Sequence, residues 1–267
     1  MNVVLPGDSL PIENDASASI SIGPGIYKSP QTQEIIPSSA GIINIKDTKQ
    51  NTNRLIYIDS NSKRYIPQTN DFVIGIITGV FGENYKVQLQ DFSQSVQLSM
   101  MAFPNASRKN RPNLKVGQAV YARVSQAIPE IDVELECIDA TTGKEGGFGL
   151  LDESGYIFSV NLNFSRELLF NQNSPILEKL ASRCKFEIAI GINGKIWIKC
   201  GDGIPIQKEG SSSNGNEEED NKQQSKDSSK NYVYDLKCTL AATRYIQSCQ
   251  HLKSEEIDAE LKKLFNF

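Results

Sequence analysis

Few residues in this sequence could supply acid–base or nucleophilic chemistry, and they do not cluster. His251 is the one histidine, and no HExxH, EF-hand or P-loop pattern occurs. A Ser-His-Asp or Cys-His arrangement would have to include His251, and the residues around it give no support for one. We therefore expect no catalytic residues, no metal site and no cofactor.

Three acidic residues, Asp132, Glu134 and Glu136, alternate with apolar residues in the stretch EIDVELECID. This spacing puts the carboxylates on one face of a strand, where acids could hold the two metal ions of a nuclease. An ordinary solvent-exposed strand face has the same pattern. We favour this second interpretation, with Ile131 and the alternate apolar residues after it in the core and an acidic row that repels phosphates.

The five cysteines are widely spaced and include no CxxC pair. We therefore expect neither a disulfide framework nor a zinc site, and a reduced intracellular compartment. No apolar run approaches the roughly 18 residues that span a bilayer, and the first residues lack the basic start of a secretory signal. We expect no membrane partner.

A short basic stretch is the clearest functional signal. Arg108, Lys109 and Arg111 lie in the sequence ASRKNRPN, between Pro104 and Pro112. The segment 63–123 around them has eight basic and three acidic residues, a net charge of +5 in a chain whose net charge is −4. Its basic residues are Lys63, Arg64, Lys86, Arg108, Lys109, Arg111, Lys115 and Arg123. A local basic face on an acidic protein suggests a polyanion, so we predict RNA contacts by the basic triplet and by Lys63, Arg64 and Lys86.

The chain divides into three parts by pattern. Residues 1–67 contain short β-branched runs between Gly and Pro, typical of a small all-β module. Residues 68–145 contain five short strand patterns, FVIGIITGVF, NYKVQLQ, SVQLS, QAVYARVSQA and EIDVELECID. Five short strands joined by turns and one longer loop are typical of a closed OB barrel.

Residues 146–267 mix helix and strand patterns at the size of a KH domain. The stretches NFSRELLF and SPILEKLASRC predict helices, the second with Ser174 as N-cap and Pro175 at its first position. Two amphipathic helices follow near the end of the chain. Between them and the strands lies the insert 207–231, which has no apolar residue and is predicted to be disordered. The predicted fold is multidomain, mostly β with an α+β part.

The stretch KFEIAIGINGKIWIKC predicts two strands joined at Asn193 and Gly194, a strong hairpin signal. The residues from Gly191 to Gly194 also resemble the GxxG loop with which KH domains clamp a nucleic-acid backbone. A clamping GxxG joins two helices, whereas this one lies between apolar strands. We favour a structural hairpin turn, and RNA clamping remains the alternative.

Several of these strings together resemble one family. LPGD, GPGIY, KRYIPQTNDFVIGIITG, YKVQLQ, MAFPNASRKNRPNLKVGQAVYARV, NLNFSRELLF and IGINGKIWIKC are similar to exosome cap subunits of the ribosomal-RNA-processing-protein-forty family. The resemblance covers nearly the whole chain except the insert. It implies an N-terminal β module, an OB barrel of the ribosomal-protein-S-one type and a KH domain.

The resemblance also implies a function. Family members are non-catalytic cap subunits that stabilise a ring of other subunits and guide single-stranded RNA into its central channel. Associated hydrolytic exoribonucleases then degrade or process the RNA, including ribosomal RNA. The implied partners are RNA, ring subunits and other cap subunits, and the implied locations are the nucleus, nucleolus and cytoplasm. A free-standing RNA-binding protein, such as a translation factor or RNA chaperone, is the alternative.

Overall fold

The computed structural model describes residues 2–10, 19–47, 53–107, 109–128, 130–144, 146–171, 174–201, 221–253 and 255–266. The chain forms two compact units, Met1–Lys63 and Arg64–Phe267. Among the described residues, no helix is long and apolar enough to cross a bilayer.

The first unit is all β. Its strands are β1 (Val3–Val4), β2 (Ser19–Ile22), β3 (Ile26–Lys28), β4 (Ile35–Pro37), β5 (Gly41–Asp47) and β6 (Asn53–Asp59). Four of them form a sheet in the order β1-β5-β6-β2, and β3 pairs with β4. The core is small, with Val4, Ile26, Ile56 and Ile58 buried, which confirms the predicted β module.

The second unit begins with a closed five-stranded barrel. Its strands are β7 (Phe72–Phe81), β8 (Asn84–Gln88), β9 (Val96–Ser99), β10 (Ala119–Gln126) and β11 (Glu134–Glu136). Antiparallel pairing joins β8 to β7 and β9, and β10 to β7 and β11. The parallel pair β9–β11 closes the ring. The predicted OB barrel is confirmed.

Close packing inside the barrel requires a glycine on β7. Val73 and Ile77 are fully buried in the barrel core. A Cβ atom built on Gly75, between them on the same face, would lie 2.2 Å from Cγ1 of Val87. The absence of a side chain at this position therefore lets β7 and β8 approach each other.

The barrel extends beyond the predicted boundaries at both ends. Tyr65 is buried in the barrel core, and its hydroxyl donates to the Asp71 carboxylate over 2.7 Å. The short strand β12 (Gly149–Leu150) pairs with β10. Strand β11 is shorter than predicted, because the Ile131 N–H donates to the carbonyl of Ile128 and draws this segment into a turn. Ile131 is consequently 54% exposed, so its predicted place in the core is wrong.

The KH part contains a three-stranded antiparallel sheet and four helices. The strands are β13 (Tyr156–Ser159), β14 (Phe186–Ile190) and β15 (Lys195–Cys200), in the order β13-β15-β14. The helices are α1 (Leu162–Phe170), α2 (Pro175–Ala181), α3 (Asn221–Cys249) and α4 (Ile257–Leu264). Helix α2 begins at Pro175 as predicted, although Ser174 at the N-cap makes no side-chain capping bond.

The two faces of β15 contact different partners, because successive side chains of a strand point in opposite directions. Ile196 and Ile198 are fully buried among the helices, with Ala242, Tyr245 and Ile246 of α3. Trp197, on the opposite face, packs with Ile74 of the barrel. One strand therefore holds both the KH core and the contact with the barrel.

Helix α3 corrects the predicted insert. Residues 221–231 belong to this helix, so the prediction of disorder is wrong for them, and residues 207–220 lie outside the described residues. The second half of α3 is held by burial against the KH sheet, and extending an existing helix costs little for each added residue. The Lys and Gln residues of the segment 221–226 are good helix formers.

Two buried threonines of α3 allow a matched test of the KH core. The Thr239 hydroxyl accepts the buried N–H of Cys200 over 3.1 Å and donates to the Asp235 carbonyl. The Thr243 hydroxyl only donates, to the Thr239 carbonyl. We expect Thr239→Val to lower the free energy of unfolding by about 1–3 kcal/mol, since it leaves a buried donor without a partner. Thr243→Val should cost less in the same urea titration, and equal losses would contradict this account.

Candidate nucleic-acid interface

The basic stretch forms a tight turn in a loop that we define as the basic loop, residues 106–115. The backbones of Ser107 and Asn110 exchange two hydrogen bonds of 3.0 Å, which places Lys109 at the tip. Lys109 is exposed there, and Arg111 is exposed just after the turn. Arg108 lies outside the described residues. The turn therefore presents Lys109 to solvent on a short, closed backbone.

Tyr85 anchors the far side of this loop to the barrel. Its ring is 2% exposed in the barrel core, and its hydroxyl donates to the carbonyl of Pro112 over 2.6 Å. The same hydroxyl accepts the N–H of Leu114 over 3.2 Å. Leu114 is itself buried in the barrel core. The cation of Arg111 thus extends from a backbone that is held in place on both sides.

The basic loop lies at the end of the barrel that carries the turn between β7 and β8, which we call the turn end. The chain leaves β9 there, with the N–H of Met100 donating to the carbonyl of Glu83. Lys86 is exposed on β8, and its ammonium lies 5.5 Å from the ring centroid of Phe81. The turn end therefore combines Phe81, Lys86, Lys109 and Arg111.

Phe81 is an aromatic candidate that the sequence analysis missed. It is 74% exposed at the last position of β7, directly before Gly82. An exposed ring next to ammonium groups can stack on a nucleic-acid base while the cations meet the phosphates. Its place at the strand end, where the apolar alternation stops and a glycine follows, is a signal that could have identified it.

Arg64 does not lie at the turn end, and Lys63 belongs to the other unit. Lys63 is an exposed residue of the first unit, and Arg64 is exposed at the start of the second. The residue after Arg64, Tyr65, donates its N–H to the side chain of Gln90 in the loop between β8 and β9, which is at the opposite end from the basic loop. The structure thus brings together Lys86, Lys109 and Arg111, and does not bring Arg64 to them.

One ion pair joins β10 to β11. Arg123 is 15% exposed and forms an ion pair with Glu136, and it also donates to the side chain of Asn70. Asp132 accepts a hydrogen bond of 2.8 Å from Gln97. In the part of the chain that the structure describes, no three metal-ligating side chains form a group. The row of acids is therefore partly neutralised.

The GxNG segment faces the barrel, not solvent. It forms the turn between β14 and β15, and its four residues are buried. The Asn193 carboxamide accepts the N–H of Ile74 over 3.2 Å and donates to the carbonyls of Ile74 and Leu89 over 2.8 and 2.6 Å. Gly194 has a φ of +78°, and a Cβ there would lie 2.7 Å from the carbonyl of Val160. Glycine is required by both constraints.

Two further contacts hold the hairpin on the barrel. Ile192 is 6% exposed and belongs to the barrel core. The ammonium of Lys195 lies 3.8 Å from the Asp91 carboxylate. Burial lowers the pKa of Lys195 below its ordinary value, and the charge of Asp91 offsets part of this shift. The hairpin tip therefore fills the end of the barrel opposite the turn end. The backbone of the tip is buried there and is inaccessible to a ligand.

Comparisons with known proteins match this architecture part by part. Residues 65–149 match the family profile "Exosome complex component RRP40, S1 domain", and residues 155–204 match the KH domain profile. Residues 20–64 match "Exosome complex exonuclease Rrp40 N-terminal domain". The exosome complex component RRP40 of Saccharomyces cerevisiae is 55% identical over 197 residues, which is 74% of this chain and 81% of the relative.

The chain belongs to the RRP40 family. The Schizosaccharomyces pombe RRP40 component is 42% identical and the human one 30%, each over 74% of this chain and 81% and 78% of the relative. The three matched regions follow the order of the β module, the barrel and the KH part.

We expect Asn193→Ala to destabilise the second unit strongly. It leaves one buried N–H and two buried carbonyls without this partner, and each unsatisfied buried group costs about 1–3 kcal/mol. The matched control is Asn84→Ala, which removes one 3.1 Å bond to Gln97 at a half-buried site. Urea unfolding should show a loss of roughly 3 kcal/mol or more for Asn193→Ala and under about 1 kcal/mol for the control. Similar losses for the two variants would refute the role given to Asn193.

Proposed function

We propose that this chain is a non-catalytic cap subunit of an RNA exosome that guides single-stranded RNA toward the channel of a ring of partner subunits. The observation that carries the proposal is the turn end of the barrel, where Phe81, Lys86, Lys109 and Arg111 are exposed together. Membership of the RRP40 family, whose named relatives are exosome complex components, supports the assembly.

The chemistry of the turn end suits RNA of any sequence. Ammonium and guanidinium groups neutralise phosphates without reading bases, and the exposed Phe81 ring offers a face to every base. A machine that degrades many RNAs requires affinity of this kind. We assign no cleavage step to the chain, and associated hydrolytic exoribonucleases would degrade or process the delivered RNA, including ribosomal RNA.

The proposal includes partners and location. Ring subunits and the other cap subunits would bind the chain directly, and the exoribonucleases would meet it through the complex. The nucleus, nucleolus and cytoplasm are the compartments where such an assembly would work. The small core of the first unit supports assembly, because so few buried side chains favour packing against a larger partner.

A double charge reversal tests the RNA contact. We expect Lys109→Glu with Arg111→Glu to weaken binding of single-stranded RNA and to reduce the log–log salt slope by about 1.4, at roughly 0.7 for each lost phosphate contact. The matched control is Lys262→Glu with Lys263→Glu, which reverses the charges of two exposed residues on α4. Filter binding at several salt concentrations measures the affinity and the salt slope of each variant. An unchanged affinity and slope in the basic-loop variant would remove the turn end from the RNA path.

The alternative, a free-standing RNA-binding protein, makes a different prediction about assembly. A cap subunit should sediment with the ring subunits when the tagged chain is purified from its native cells at moderate salt. The basic-loop variant should remain in that assembly, because its altered side chains are proposed to contact RNA. Sedimentation of the wild-type chain as a monomer would favour the alternative.

A further inference from the structure

Two free thiols lie against each other in the KH part. The Sγ atoms of Cys184 and Cys200 are 3.9 Å apart, within hydrogen-bond distance for sulfur. Cys184 lies between α2 and β14, and Cys200 is the last residue of β15. The fold thus brings together two thiols that are 16 positions apart in sequence. A disulfide would need the sulfurs to approach to about 2.05 Å, a movement of about 2 Å.

The ladder between β14 and β15 places the thiol pair at the open end of the hairpin. Cys200 pairs directly with Phe186. Just beyond this pair, the N–H of Gly201 donates to the carbonyl of Lys185 over 3.1 Å. The other end of the hairpin is the tip that the barrel holds through Asn193. The end of a ladder opens more readily than its middle, so the pair lies where local opening exposes both sulfurs.

The two thiols differ in their access to solvent. Cys184 is partly buried, whereas Cys200 is 4% exposed. The partly buried Cys184 offers a small, uncharged oxidant a route to the pair, and the neighbouring Cys200 sulfur is close enough to react next. The geometry therefore combines one accessible sulfur with one protected sulfur at contact distance.

Contact between the thiols also favours a thiolate, which is the nucleophilic form of cysteine. The hydrogen bond from the Cys184 thiol lowers the pKa of Cys200, and the Thr239 hydroxyl lowers it further, although burial opposes both. The same hydrogen bond raises the pKa of Cys184, whose proton it holds. By contrast, burial raises the pKa of Cys137 in the barrel core to about 12. The pair therefore ionises more readily than this isolated buried thiol.

A third thiol of the same core could compete for Cys200. Cys238 of α3 is 3% exposed and belongs to the KH core with Cys200. Burial raises the pKa of Cys238, and a negative charge on Cys200 raises it too. Cys238 is therefore both more buried than Cys184 and harder to ionise, which favours Cys184 as the partner of Cys200.

We propose that Cys184 and Cys200 form a peroxide-sensitive site, in which oxidation joins the two sulfurs in a reversible disulfide. The thiolate of the pair attacks an oxygen of hydrogen peroxide. An S–O bond forms, the O–O bond breaks, and hydroxide leaves and takes up the proton that the thiol had released.

The second sulfur completes the reaction. It attacks the sulfur of the sulfenic acid, so that an S–S bond forms, the S–O bond breaks, and water leaves with the proton of the second thiol. In total, two thiols are oxidised and one peroxide is reduced to two water molecules. Two equivalents of a small thiol reverse the step by thiol–disulfide exchange.

The disulfide would clamp the open end of a hairpin whose tip is already held by the barrel. It would close a loop that contains both β14 and β15, and such a link restricts the unfolded chain more than the folded one. Oxidation therefore stabilises the KH part. The exposed side chains of the turn end lie outside this loop and keep their positions.

Peptide mapping tests the bond. The reduced full chain is treated with hydrogen peroxide and denatured, its free thiols are blocked with N-ethylmaleimide, and linked peptides are identified by mass spectrometry. We expect a link between Cys184 and Cys200 at peroxide concentrations that leave Cys137 free to react with maleimide. Cys184→Ser should abolish the link, and the matched control Cys137→Ala should leave its yield unchanged.

Three outcomes of the mapping would overturn the proposal. A link between Cys200 and Cys238 would show that the wrong partner was assigned. Sulfinic acid at Cys184 without any link would show that Cys200 cannot reach it. Oxidation of Cys137 before the pair would show that the contact between the thiols does not favour their reaction.

Thermal unfolding tests the clamp. The oxidised wild-type chain should melt at least about 4 °C above the reduced chain, because the link restricts the unfolded state. Dithiothreitol should restore the lower melting temperature. Cys184→Ser should melt at one temperature with or without peroxide. Equal or lower melting of the oxidised wild type, in a sample whose disulfide is confirmed by mapping, would contradict the stabilising clamp.

Discussion

The hydrogen bonds of one buried carboxamide determine how the second unit is built. Asn193 satisfies backbone groups of two barrel strands, through Ile74 on β7 and Leu89 at the end of β8. Because this amide is buried, water cannot replace it as a hydrogen-bond partner. Removing it would therefore leave polar groups of both domains unsatisfied. Ile192 and Trp197, on either side of Asn193, supply apolar contact to the same barrel. The barrel and the KH part are therefore one packed body.

This arrangement assigns different tasks to the two ends of the barrel. The end that receives the hairpin tip is filled by Ile192 and covered by Asn193. The opposite end keeps its loops in solvent, and the basic loop lies there, fixed by the Tyr85 hydroxyl. A GxNG sequence that resembles an RNA clamp is thus used as a structural contact, and the proposed RNA contacts lie at the other end of the barrel.

Much of the fold could be predicted from local patterns. The five barrel strands, the Asn193–Gly194 hairpin and the start of α2 at Pro175 follow from β-branched runs, turn residues and a proline at the first helical position. These features depend on interactions between residues close in sequence. The basic stretch was also visible, because the positions of charged residues require no knowledge of the fold.

The tertiary structure decided which of those residues meet. Arg123 was counted as a free cation, but pairing of β10 with β11 places Glu136 directly opposite it. The antiparallel pairing of β7 with β8 and β10, and of β8 with β9, puts the β7–β8 turn and the basic loop at one end of the barrel and the β8–β9 loop at the other. Lys86 and Lys109 therefore come to the first end, and Arg64, next to Tyr65, comes to the second. Asn193 reaches Ile74 across 119 positions of sequence. No local pattern encodes such contacts, since each depends on two segments whose distance is set only when the barrel closes and the KH sheet packs on it.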